Sequence, residues 1–243
     1  MVFVSSPLPT PPRRGRPAPA AEAAPRTPLN RERIVDAAMA IVDADGLDAL
    51  SMRAVAQALG TGPASLYAHI ADKDELLALL IERVAGELDL PEPDPERWQE
   101  QLKAMVRATH YGLLAHRDLA RAGLANIPLG EGALRFSDRM IEIMRSGGLP
   151  DQVVAYGCDL LPLYAVATAY EQALYAERMT TEEGERYIAE VGEYFAALPA
   201  DRFPNIVALA GPLVAGGGEG ERFEFGLDVL VAGLAAYGRR TSS

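Results

Sequence analysis

Apolar residues recur along this chain at the spacing of helix faces. Ile34, Ala37, Ala38, Ile41 and Val42 fall at i, i+3, i+4, i+7 and i+8, one stripe of an α-helix. Thr27 and Pro28 suit its N-cap and first position, because proline lacks the N–H that would be orphaned there. Gly46 suits a left-handed stop. Ser51 stands where it can cap a second helix, with Val55, Ala58 and Leu59 facing inward and Gly60 ending it. Gly62 and Pro63 restart the chain as cap and first position of a third helix through Ile70, with Leu66 and Ile70 on its buried side. Asp72 followed by Glu75 is a capping box with Asp in place of Ser or Thr. It opens a fourth helix with Leu76, Leu77, Leu80, Ile81, Val84 and Leu88 on its buried faces.

Residues 90–95, LPEPDP, read as a linker or elbow. Beyond it, Trp98, Leu102, Met105, Val106, Thr109 and Leu113 trace another helical stripe. A helix over residues 133–145 ends at Gly147-Gly148, and Asp151–Met179 is long and apolar on several sides, hence central. Pro162 inside it removes a helix bond from the Cys158 carbonyl, so a kink is expected. Thr180 and Glu183 form a capping box for a helix through Leu198, residues 216–220 form a flexible loop, and residues 221–237 form a last amphipathic helix. No strand pattern or internal repeat competes, so the fold class is all-α. The expected organisation is a disordered Pro/Arg-rich arm over residues 1–28, a three-helix helix-turn-helix domain over 29–75 and a larger helical domain over 76–243.

The two short helices around a tight turn in residues 50–77 are the pattern of a helix-turn-helix, whose second helix reads base edges in the major groove. With Leu66 and Ile70 inside, Pro63, Ala64, Ser65, Tyr67 and His69 remain for the outer face. Small residues at a helix start allow close approach to the groove, and Ser65, Tyr67 and His69 bring polar atoms to phosphates or base edges. Arg53 and Lys73 flank this face, where they could grip phosphates. Residues 30–80, with the runs L-S-x-R-x-V-A-x-x-L-G and S-L-Y-x-H-I-x-x-K-D-E-L-L, resemble the DNA-binding domain of the tetracycline-repressor (TetR) family of transcription regulators. The resemblance implies that Ser51, Arg53, Pro63, Ala64, Ser65, Tyr67, His69 and Lys73 contact operator DNA, Lys73 at a phosphate. Each has a plainer alternative: Tyr67 as a core aromatic with a wet hydroxyl, His69 as a surface or half-buried histidine, Arg53 and Lys73 as solvated charges.

Charge modifies this picture. The net charge of −11 argues against general affinity for nucleic acid. Residues 1–29 carry +3, residues 30–75 carry −4 and the remainder −10. Yet residues 51–71 contain Arg53 and no acid, so the acids read as solvated faces and caps, and DNA binding should be salt-sensitive. In the arm, Arg13-Arg14-Gly15-Arg16-Pro17 resembles the core of an AT-hook; a minor-groove contact, an electrostatic tether and an inert tail are the readings it allows. A single cysteine, Cys158, excludes an internal disulfide and a Cys-based zinc site. No apolar run reads as long enough to span a bilayer and the N-terminus has no apolar signal core, which points to the cytoplasm.

The C-terminal half resembles, more loosely, the helical domain of the tetracycline-repressor branch, through ERWQEQLKAMVRATHYGLLAHRD and RFEFGLDVLVAGL. That resemblance implies a homodimer through the two late helices and an enclosed small-molecule effector. Gly157, Ala165 and Ala169 would permit close approach of the partner, or simply pack inside the subunit. The histidine and asparagine with which tetracycline repressors hold a drug–metal chelate correspond to Gly123 and Met105, so the chelate site is not carried over. An apolar or aromatic effector is expected instead. Its candidate contacts are His110, Asn126, Tyr164, Thr168 and Tyr170, polar groups on otherwise apolar helices, each also readable as a satisfied core or surface group.

His116-Arg117-Asp118-Leu119 copies the start of a kinase catalytic loop, but the expected asparagine is replaced by Gly123 and no Gly-rich loop or DFG accompanies it. No other catalytic motif is present, and His69, His110 and His116 lack metal-ligand spacing. The expectation is therefore a non-enzymatic, cofactor-free, metal-free repressor. It binds double-stranded operator as a homodimer, with reading helices about 34–36 Å apart or a multiple of that, and a small molecule releases it through the fourth helix. The alternatives are an effector-independent DNA binder and a regulator controlled by a partner protein.

Overall fold

A computed structural model describes residues 28–124, 129–179, 182–215 and 220–241. The arm through residue 27, Asn126 and the Thr180 cap lie outside the described residues. Twelve α-helices and one short 3-10 turn make up the described secondary structure, with no strand among them.

The first helix, α1 (Arg31–Asp45), starts later than Thr27 and Pro28 suggest. Asn30, in extended backbone, is its N-cap: the side-chain oxygen accepts from the Arg33 N–H at 2.9 Å. Asn ranks above Thr as a cap, which is why the start falls there. Gly46 ends the helix with φ +84°, and a Cβ there would sit 2.9 Å from Asp118 Oδ2. After the 3-10 turn Leu47–Ala49, Ser51 caps α2 (Met52–Ala58) by accepting from the Ala54 N–H. Val55 is buried and Leu59 half-buried, as the spacing requires, but Ala58 is exposed and Met52 and Ala56 face inward. In so short a helix the residues three before and one after Val55 share its face.

Helix α3 (Pro63–Leu66) is a single turn and stops short of Ile70. The chain still coils, since His69 and Ile70 N–H groups both donate to the Leu66 carbonyl, and Ile70 remains buried. Asp72 then caps α4 (Lys73–Gly86) at the Glu75 N–H, and the Glu75 carboxylate reaches back to the Ala71 N–H. Ile34, Val42, Val55, Leu66, Ile70, Leu76 and Leu80 form one core, which continues into Leu113, Leu119, Ala120, Ala122 and Ala169.

A second core joins α5 (Trp98–Leu114), α7 (Glu131–Ser146), α8 (Asp151–Met179) and α12 (Glu221–Thr241) around Leu102, Met105, Met140, Ile143, Leu161 and Leu227. The small helix α6 (Leu119–Gly123), unforeseen from the sequence, wedges between α4, α5 and α8. α9 (Glu182–Ala196) packs against α10 (Pro204–Ala208), α11 (Ala210–Val214) and α8.

α8 holds Pro162 inside its span. One expectation about it is corrected: Asp151–Ala176 is long and apolar enough, by length and composition, to cross a membrane. A scan for uninterrupted apolar runs misses this because Asp159 and Glu171 punctuate the stretch. Val153, Val154, Leu161, Ala165 and Ala169 bury it against its neighbours. Gly157, Ala165 and Ala169 pack inside the subunit: a Cβ at Gly157 would meet Met144 Sδ at 2.8 Å.

Candidate DNA interface and effector cavity

Pro63, Ala64 and Ser65 are exposed on α3, and Tyr67 directly follows with 54% of its surface free. That exposure is incompatible with Tyr67 as a core aromatic. The turn is locked from behind by Leu66 and Ile70, both fully enclosed. It is also held at its end: the His69 carbonyl accepts from Arg31 Nε at 3.3 Å and Nη2 at 3.2 Å, and the same guanidinium pairs with Glu75. His69 is half-buried, and its backbone serves the scaffold. Arg53 and Lys73 are exposed on the first turns of α2 and α4. Ser51 is exposed too, with its oxygen engaged as the α2 cap. Arg31 escaped sequence reading because its partners lie 38 and 44 positions away.

The second feature is a cavity of about 730 Å³ between α5, α8 and the turn from α5 to α6. Tyr111, Leu114, Ala173 and Ala176 give it apolar walls; His116, Arg117, Asp118 and Gln172 supply polar groups, with Gly220 at its edge. None of the four described candidates among the expected ligand contacts lines it. His110 is fully buried behind the wall. Its ring stacks on Phe223 at 3.9 Å, meets Tyr111 edge-on, and is bonded to Ala165, Thr168 and Gln172. Burial holds its imidazole below the ordinary range, against the backbone bond to Ala165 that favours the charged form. Tyr164 donates to the Arg222 and Phe223 carbonyls, and Thr168 to the Tyr164 carbonyl at 2.7 Å. Tyr170 packs against the first core. His110, Tyr164 and Thr168 thus have partners within the subunit, as polar atoms on apolar helices usually do. The cavity residues the sequence reading missed, Gln172 above all, carry no local signal.

The cavity wall reaches the end of α1 directly. His116 Nδ1 donates to Asp43 Oδ1 at 2.9 Å, and Arg117 donates to the Ala44 carbonyl, both at the end of α1. Asp118 adopts left-handed backbone with φ +58° beside Gly46. Arg121 pairs with Asp48, and its hydrogen bond holds that carboxyl below the usual carboxylate range. The HRD run thus ties the turn between α5 and α6 to the end of α1.

Residues 34–80 match the family described as bacterial regulatory proteins, tetR family, and residues 90–237 match the tetracyclin repressor-like C-terminal domain. The chain is 33% identical to the HTH-type transcriptional repressor DrrR1 of Streptomyces coeruleorubidus, over 86% of this chain and 78% of that one. Among solved structures it is similar to apo ActR of Streptomyces coelicolor, with TM-score 0.82 and 45% identity over 88% of this chain and 99% of that one. It is equally similar to the TetR family protein ActR in complex with actinorhodin, with TM-score 0.81 and 46% identity over 87% and 97% of the two chains. Two matched domains, in the order and positions of the two cores, leave one conclusion: the chain belongs to the TetR family of bacterial regulatory proteins.

Proposed function

We propose that this chain is a homodimeric, sequence-specific repressor that reads its operator through the Pro63–Tyr67 turn and is released by a polycyclic aromatic small molecule. The observation that carries the reading is the reader turn itself: small and polar residues exposed, with Leu66, Ile70 and Arg31 fixing it from behind. Ser51, Arg53, Pro63, Ala64, Ser65, Tyr67, His69 and Lys73 form the DNA-contacting set, with Arg53 and Lys73 on phosphates.

Dimerisation is supported by apolar side chains left outside on α8 and α12. Tyr156, Leu160 and Leu163 on one helix and Phe225 and Val229 on the other are exposed at helical spacing. A two-fold axis through these helices covers both stripes and sets two readers on one DNA face. The effector site is the cavity of about 730 Å³, a size suited to a drug-sized ligand. The related ActR is known in complex with actinorhodin, which favours an aromatic effector here. Release runs from the cavity through His116 and Arg117 to the end of α1, alongside the α4 route. The ligand acts by binding the non-DNA arrangement more tightly, with coupling of about 1–3 kcal/mol.

The test is a gel shift on the DNA flanking the protein's own gene, at two salt concentrations. Wild type should give a specific, salt-sensitive complex of dimer stoichiometry. Tyr67→Ala and Ser65→Ala should each weaken it roughly tenfold, the cost of one lost base-edge contact of about 1–3 kcal/mol. Wild-type binding by both variants would remove the reader assignment.

A further inference from the structure

Hydrogen-bond accounting at His110 determines the chemistry presented to the cavity. Its Nδ1 lies 3.2 Å from the Ala165 carbonyl and 3.1 Å from Thr168 Oγ1. The carbonyl can only accept, and the single hydroxyl hydrogen of Thr168 goes to the Tyr164 carbonyl at 2.7 Å. Both neighbours of Nδ1 are therefore acceptors, so Nδ1 carries the proton. The ring is fully enclosed and stacked on Phe223, an environment that keeps it neutral. Nε2 then holds a lone pair, and Gln172 Oε1 stands 3.1 Å from it, so two acceptors face each other as the amide is placed.

A lone pair needs a donor, and only the NH₂ end of Gln172 donates. The two ends of an amide have the same shape, so the network assigns them: NH₂ towards His110, carbonyl oxygen away from it. Gln172 lines the cavity and His110 does not. The oxygen turned away from His110 is thus an acceptor on the cavity wall, pre-oriented by a buried ring. Around it, Tyr111, Ala173 and Ala176 present an aromatic face and two small side chains, a wall suited to a flat molecule.

We propose that Gln172 is the specificity-determining residue of the cavity, and that the effector is a planar aromatic compound whose hydroxyl donates to the Gln172 side-chain carbonyl. This rests on the cavity being the effector site. Charge is not required of the ligand at this position, and a ring carrying an ether in place of the hydroxyl has nothing to donate.

The experiment is calorimetric titration of the full chain with 2-hydroxyanthraquinone and 2-methoxyanthraquinone. Wild type, Gln172→Leu and Ala176→Phe are compared, with helicity checked for each. Wild type should bind the hydroxy compound about tenfold more tightly than the methoxy compound, the worth of one neutral hydrogen bond. Gln172→Leu should bind both alike, and Ala176→Phe, whose ring narrows the cavity, should bind both more weakly. Equal wild-type binding of the two probes, or a hydroxyl preference that survives in Gln172→Leu, overturns the Gln172 assignment; sensitivity to Ala176→Phe then leaves the cavity reading standing. Binding of neither probe to wild type, or binding indifferent to Ala176→Phe, overturns the aromatic-cavity reading and the Gln172 assignment together.

Discussion

His110 shows how a single side chain is read differently in one dimension and in three. On the sequence it is a polar residue on an apolar stripe, and so a candidate ligand contact. In the fold every polar atom it has is used internally, and it orients Gln172 instead. Its burial carries a pH prediction. An unfolded imidazole takes up a proton below about pH 6.5, whereas burial holds the folded one neutral to lower pH. In that window the unfolded state binds more protons, so stability falls as pH falls. The melting temperature should drop between about pH 7.5 and about pH 5.5, and His110→Gln should flatten part of that slope. Asp48 and Asp228, both held low by their cationic partners, lose their contribution only around and below the carboxylate range, outside this window. An unchanged slope in His110→Gln would mean that the imidazole is not held neutral. Tyr67 went the other way: its place outside was legible, since Leu66 and Ile70 already claim the inner face.

At the scale of elements, helix ends were legible where the signal is a local hydrogen bond. Ser51 and Asp72 cap as their positions require, and Pro63 starts α3. The start of α1 was misplaced because two cap signals stand close together and Asn30 prevails over Thr27. Helix α6 was missed because five residues are too few to show a period. The junction between halves holds a further device. The Glu82 carboxylate, on α4, accepts from the backbone N–H groups of Gly132 and Ala133 and so caps α7 from another helix. The approach is close enough that a Cβ at Gly132 would come within 2.9 Å of the Gly86 backbone. Glu82→Ala should cost about 1–2 kcal/mol in urea denaturation, with Glu82→Gln between it and wild type. Gly132→Ala should cost more than Glu82→Ala, because backbone must move as well. If Glu82→Ala leaves the urea midpoint unchanged, the carboxylate is not supporting α7.

For the whole molecule, the exposed apolar stripes on α8 and α12 and the acidic balance set the terms. Covering Leu163 and Phe225 is worth about 1.5–3 kcal/mol each, so Leu163→Glu combined with Phe225→Asp should yield a helical monomer in sedimentation. That monomer should lose the operator complex, because a single reader contacts only one half-site. A dimer that persists would point to another face of the subunit. With a net charge of −11, operator binding depends on the few cations at the reader face and should weaken steeply with salt. The sequence by itself determined the all-helical class, the helix-turn-helix, most helix starts and the outward face of the reader. These follow from contacts a few residues apart, where spacing alone decides which side chains share a face. The tertiary structure alone decided the rest: the Arg31 bracing of the reader, the tie from the HRD run to the end of α1, the inward turn of Gly157, Ala165 and Ala169, and the position of Gln172 on the cavity wall. Each depends on which helices become neighbours across tens of positions, and an amphipathic pattern marks a buried face without naming what will bury it.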